Sequence, residues 1–213
     1  MHVVITGAGR GIGKALADRY RAAGHRVTGT ARDGSAEIRL DVTDPAAQTA
    51  MAAQLAGDPV DLLICNAGLY PDKGQRLEDG YPAQMWAEAF AVNVTGVFLS
   101  VQALLPNLRA ATGKIGLISS QMASHQRAPG GSYIYRSSKA AVLNLGRNLA
   151  ADLKPEGIAV GIYHPGWVQT DMGGPQAEIT VDQAAEGLAD RFAALDIADT
   201  GCFRTWDGRD HAF

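Results

Sequence analysis

Tyr135 and Lys139 lie four positions apart in SYIYRSSK (residues 132–139), just ahead of the helix-forming run AAVLNLGRNLAADL. On a helix that spacing sets both side chains on one face, within reach of a shared ligand. A free phenol loses its proton only near pH ~10 and is a poor acid or base at neutral pH. A fixed ammonium one turn away stabilises the phenolate and draws that value down. Such pairs also occur by chance, so this is either a tuned proton donor or a tyrosine and a lysine that merely share a helix face. The rest of the chain must supply a cofactor and a group that polarises the substrate. Tyr133 is the internal control, because the residue four positions on is the uncharged Ser137.

The elements that must hold this pair alternate along the chain. Apolar runs read as buried strands at 2–6, 26–31, 37–42, 60–66, 114–119, 158–164 and 202–207. Helical patterns fall at 12–24, 44–56, 82–108, after Tyr135, and at 180–195. Strands alternating with helices of this length predict an α/β fold, a doubly wound parallel sheet covered on both faces. Asp44 before Pro45 reads as an N-cap followed by an N1 proline, and Thr180 with Gln183 as a capping box. No repeat or linker interrupts the pattern, so residues 1–213 are expected to form a single domain.

Composition narrows the partners. The 213 residues are 46% hydrophobic and 19% charged, with a net charge of −3. That balance argues against nucleic acid or an anionic membrane surface as a partner. Cys65 and Cys202 are isolated and read as free thiols of a reducing compartment. The N-terminus enters a strand at once and no apolar run reads as long enough to span a bilayer, so a cytoplasmic location is expected. The five histidines show no metal-ligand spacing. No metal site is expected, and His164 reads as packing.

The first strand runs into TGAGRGIG (residues 6–13). Gly7, Gly11 and Gly13 permit a tight turn and close approach to an anion, with the helix opening near Ile12 aimed at a phosphate. The spacing is G-x-x-x-G-x-G rather than the G-x-G-x-x-G of many dinucleotide sites.

TGAGRGIG, CNAG (65–68), VNVTG (92–96), ISS (118–120), YRSSK (135–139) and HPGWVQTDM (164–172) occur in the order seen in short-chain dehydrogenases/reductases, and the chain resembles that family over essentially its whole length. GGSYIYRSSKAAVLN, HPGWVQTDMGG and the ending WDGRDHAF resemble its C-factor/sniffer-like carbonyl reductase branch. The resemblance implies a Rossmann-type fold and hydride transfer between NADP(H) and a carbonyl or alcohol. It implies a catalytic set of Asn93, Ser120, Tyr135 and Lys139. Tyr135 would be the general acid, Lys139 would lower its pKa and bind the nicotinamide ribose, Ser120 would polarise the carbonyl, and Asn93 would hold a water linking Lys139 to solvent. It further implies cofactor contacts at Gly7, Arg10, Gly11, Ile12, Gly13, Arg32, Asp41, Val42, Asn66, Ala67, Gly68, Tyr135, Lys139, Pro165, Gly166, Val168 and Thr170. The helices carrying Trp86, Phe90, Phe98 and Leu105 and following Tyr135 form the common subunit interface of the family, which implies a homodimer or homotetramer.

Three points rest on this chain's own residues. Family members usually place the serine about thirteen residues before the tyrosine, where Met122 stands here. Ser120 fits a loop two residues longer, and Ser124 is the rival. The second strand ends at Ala31 without a carboxylate, while Arg32 and Arg10 can converge on a 2′-phosphate, so NADP(H) is expected over NAD(H); Asp33 is the counter-indication and reads as a turn residue. Only RDGSA (32–36) separates the second and third strands, too short for a crossover helix, so the third strand should be short and the adenosine side open. A nucleotide-binding signalling or regulatory protein with little turnover is the second reading.

Overall fold

Period-two alternation of apolar side chains builds the sheet. In β1 (His2–Thr6), Val3 and Ile5 pack on one face and Val4 on the other. In β4 (Leu62–Cys65), Leu62 and Ile64 share the first face while Leu63 and Cys65 share the second. Both strands are buried on two sides, as interior strands of a parallel sheet must be. The computed structural model describes residues 1–213. The other strands are β2 (Arg26–Ala31), β3 (Ile38–Arg39), β5 (Lys114–Ile118), β6 (Ala159–His164) and β7 (Phe203–Thr205). All seven are parallel, in the order β3-β2-β1-β4-β5-β6-β7. This is the single-sheet, Rossmann-type fold expected.

One face is covered by α1 (Gly11–Ala22) and α6 (Val181–Ala194), which bring Leu16, Leu188 and Phe192 onto Val3, Ile5 and Tyr163. The opposite face carries α2 (Pro45–Gln54), α4 (Gly96–Ala111) and α5 (Tyr133–Leu153) over a larger core that includes Met51, Leu104, Leu108 and Val142. Fully burying such a side chain is worth about 1.5–3 kcal/mol. Asp44 accepts from the Ala46 amide at the start of α2, and Thr180 with Gln183 closes a capping box on α6, both as the sequence predicts.

Two elements depart from the sequence reading. The third strand is short, as the brief RDGSA connection leads one to expect, but keeps only two of the residues 37–42 read as strand. Glu37 turns its carboxylate onto the Gly29 amide at 2.8 Å, and Asp41 folds onto the amide and hydroxyl of Thr43, so neither flank continues the ladder. The second departure corrects the statement that no apolar run is of membrane-spanning length. α3 (Ala83–Phe90), a π-turn (Ala91–Thr95) and α4 merge into one helix over Ala83–Ala111, whose 29 residues are long and apolar enough to cross a membrane by length and composition alone. Scattered polar residues such as Glu88 and Asn93 hide that length from a search for unbroken runs. Here its C-terminal half packs Val97, Val101, Leu104 and Leu108 into the core.

Candidate active site

The sheet order reverses direction between β1 and β4, and a cleft of about 810 Å³ opens at the carboxyl ends of these strands. Thr6 and Asn66 build its floor. The Thr6 hydroxyl accepts from the amides of Asn66 and Ala67 at 3.1 Å, and Asn66 Nδ2 returns bonds to the carbonyls of Thr6 and Gly7 at 3.0 Å. This clasp needs two glycines. Gly7 has φ +69°, and a Cβ there would lie 2.9 Å from Ala67 Cα. A Cβ on Gly13 would lie 2.2 Å from the Gly7 carbonyl oxygen. α1 then starts at Gly11 without any side-chain cap, leaving its first amides free for an anion.

Of the residues singled out for cofactor contact, Gly7, Arg10, Gly11, Ile12, Arg32, Asp41, Val42, Asn66, Ala67, Gly68, Tyr135, Lys139, Pro165 and Thr170 line this cleft. Three do not. Gly13 packs beneath the turn, Val168 is buried in a bridge to Ile179, and Gly166 lines a second cavity of about 300 Å³ beyond His164. Gly9 and Ser35, which the sequence does not single out, also line the cleft, and a Cβ on Gly9 would overlap the Ser35 hydroxyl. Arg10 forms an exposed 2.5 Å ion pair with Asp171, so the glycine turn is bridged to the loop after β6. Asp33 spends one oxygen on the Ser35 amide and hydroxyl, the turn role expected of it, although it too borders the cleft.

The chemistry-bearing side chains come from two parts of the chain. α5 supplies Tyr135 and Lys139 on one face, with the Lys139 ammonium 5.7 Å from the Tyr135 ring centroid. The segment after β5 supplies Ser120, whose hydroxyl accepts from the Met122 amide and acts to lower the pKa of the Tyr135 phenol. Ser119 lines the cleft and donates to the Lys139 carbonyl, whereas Ser120 lies outside the cleft lining. Ser124 is occupied elsewhere, donating to the carbonyl of the C-terminal Phe213, so the geometry gathers Ser120 and not Ser124 beside the tyrosine. Tyr133 packs edge-on against Tyr81 and is more than a third exposed.

Two expectations are altered by burial. The phenol of Tyr135 is pushed up to about 12, chiefly by desolvation, with Ser120 opposing and Tyr70 and Asp72 adding to the rise. Lys139 is brought down to about 8 by desolvation alone. In the protein without ligand the ammonium therefore does not lower the phenol, because excluding water acts on both groups more strongly than their mutual attraction. The amide of Asn93 donates to the Leu69 carbonyl and the Ser138 hydroxyl, and its oxygen accepts from the Leu69 amide. Lys139 donates instead to the Ile118 carbonyl at 2.9 Å. The Asn93 side chain thus fastens the β4 loop to α5 next to Lys139.

His164 is buried as expected, but its Nδ1 has no partner. Burial, with His211 and Arg127 nearby, brings its pKa down to about 4.

Comparison with known proteins agrees with this geometry. The family model for short chain dehydrogenases matches residues 1–180. The chain is 37% identical over 161 residues to the C-signal of Myxococcus xanthus, covering 75% of this chain and 96% of that protein. It is 31% identical over 186 residues to the 3-oxoacyl-[acyl-carrier-protein] reductase FabG of Escherichia coli, covering 79% of this chain and 74% of FabG. Among solved structures, the NADPH-bound carbonyl reductase from chicken fatty liver superposes with a TM-score of 0.90 at 31% identity, covering 100% of this chain and 98% of that one. The protein belongs to the short-chain dehydrogenase/reductase family of oxidoreductases, on its carbonyl reductase-like side.

Proposed function

We propose that the protein is an NADP(H)-dependent carbonyl reductase in which Tyr135 is the general acid. The observation that carries this reading is the buried pair of Tyr135 and Lys139 lining a cleft whose glycine turn and uncapped helix suit a dinucleotide phosphate, with the buried Ser120 in the segment after β5. NADPH would supply the hydride. Tyr135 gives its proton to the substrate oxygen, and Ser120 donates a hydrogen bond to that oxygen as negative charge develops on it. Lys139 holds the ribose and is the cation nearest the phenol. Asn93 keeps the Gly68–Leu69 segment seated against α5. Arg10 and Arg32 line the adenosine side and favour a 2′-phosphate over a free hydroxyl. The chicken carbonyl reductase, which binds NADPH, is consistent with that preference. The half-exposed Phe98 on the outer side of α4 supports a homo-oligomer, dimer or tetramer, built on the long helices.

The experiment is NADPH oxidation by the purified protein against a panel of aldehydes, ketones and quinones. Turnover of at least one carbonyl class, with NADH used less efficiently, is expected. The C-signal likeness favours a second reading, a dinucleotide-binding signalling protein with little turnover. NADPH binding without reduction of any panel member would select it.

A further inference from the structure

α5, the helix that carries Tyr135, has no cap of its own. Ser132 occupies the cap position at φ 49°, ψ 42°, and its side chain makes no capping bond. The Ser132 hydroxyl is bonded to Tyr70 Oη instead. The cap comes from a different part of the chain. Asp72, in the loop after β4, is completely buried and points its carboxylate at the start of α5. One oxygen accepts from the Ile134 amide at 2.8 Å, and both take the Tyr135 amide at 3.2 and 3.3 Å. Those second and third amides of the helix are the ones an N-cap side chain normally satisfies. Two residues before Asp72, the Tyr70 ring stacks on the Tyr135 ring at 4.2 Å between centroids and 19° between planes. The segment Tyr70–Asp72 therefore holds Tyr135 by both its backbone and its ring.

We propose that Asp72 is a positioning residue for Tyr135, capping α5 from the β4 loop and fixing where the phenol is presented to the cleft. This rests on the reading of Tyr135 as proton donor. A carboxylate at the positive end of a helix is stabilised by the helix dipole and by the amides it accepts from. At this buried position its charge also acts on the phenol of the residue whose amide it holds. The Tyr135 ring has the Lys139 ammonium and the stacked Tyr70 ring beside it, Asp72 sits on its backbone amide, and Ser120, Tyr70 and Asp72 act on its phenol. Of these, Ser120 favours loss of the proton, while Tyr70 and Asp72 oppose it. Asp72 thus serves two ends with one group: it orders the helix start and keeps the proton on Tyr135 until substrate oxygen takes it.

Asp72→Asn and Asp72→Ala separate these effects, because the Asn amide oxygen still accepts from the helix while the charge is gone. The first measurement is the ring ¹³C resonance of Tyr135 in the ligand-free protein, assigned by its absence in Tyr135→Phe and followed into alkaline pH. The second is the pH profile of kcat/KM for alcohol oxidation, and the third is thermal unfolding. Asp72→Asn should keep the melting temperature near wild type and move the Tyr135 titration and the pH profile down by roughly 0.5 unit or more. Asp72→Ala should lower the melting temperature by at least about 2–4 °C, since it leaves two buried amides unpaired. If Asp72→Asn leaves the Tyr135 resonance and the pH profile unmoved, Asp72 is a structural cap only and the proposal falls. Persistent activity of Tyr135→Phe would instead defeat the proton-donor reading, and the resonance would still report whether Asp72 governs that ring.

Discussion

The two ends of the cleft are built on opposite principles. At the adenosine end, Arg10 and Asp171 are paired across the opening with 81% of each side chain exposed, and the six residues joining β2 to β3 form no helix. At the other end Tyr135, Ser120 and Lys139 are 7%, 7% and 5% exposed. Charges in water are screened and cheap to rearrange, so they suit recognition of an anionic ligand that must come and go. Groups stripped of water have strongly displaced proton affinities, which suits chemistry and is costly to maintain. One cleft thereby separates holding from reacting, and substitutions at its two ends should fail differently.

The largest of the effects that sharpen this contrast falls on Ser120. Ser120→Ala should lower kcat by roughly 10²–10³, the usual cost of losing one donor to a developing oxyanion, with little change in NADPH affinity. Ser124→Ala should stay close to wild type in steady-state assays, because its hydroxyl serves the C-terminus. The reverse ranking would move the polarising role to Ser124.

Next is the exposed end. Arg10→Ala/Arg32→Ala should raise the KM for NADPH roughly tenfold, about 1.4 kcal/mol, while kcat and the KM for NADH change little. Added salt should produce a smaller version of the same change in wild type. A fall in kcat would show that the arginines reach the chemistry and that the two ends are not separate.

A further effect is on stability and appears only in acid. His164 is held neutral by burial, with a folded value of about 4 against an ordinary 6.5, so between those values the unfolded chain binds more protons than the folded one. Its stability contribution is complete above pH 6.5 and is lost as pH falls toward 4, up to about 3 kcal/mol. Urea unfolding at neutral and acid pH should show a weaker acid dependence in His164→Gln than in wild type. An identical dependence would mean that His164 is protonated in the folded protein.

Much of this can be read from residue order. Apolar runs place β1 and β2 with their observed limits, and the glycine turn and the Tyr135–Lys139 spacing lead to the cleft, because these signals are local. The rest is non-local. Asp72 and the amides it caps are separated by more than sixty positions, and the nearby Ser132 is diverted to Tyr70. The water-holding role of Asn93 is what the family resemblance implies, whereas its side-chain partners at Leu69 and Ser138 lie far away in sequence and are set by the fold. The direction of the Tyr135 shift is likewise opposite to what the Lys139 spacing predicts, since burial depends on the packing of the whole cleft end.

The most direct measurement is of Tyr135→Phe, comparing single-turnover carbonyl reduction with NADPH affinity measured by fluorescence on the same protein. Losing only the phenol hydroxyl at the buried end should cut the reduction rate by at least about 10²-fold while leaving NADPH affinity nearly unchanged, and Tyr133→Phe should keep most of the activity. Reduction by Tyr135→Phe at close to the wild-type rate would contradict the account.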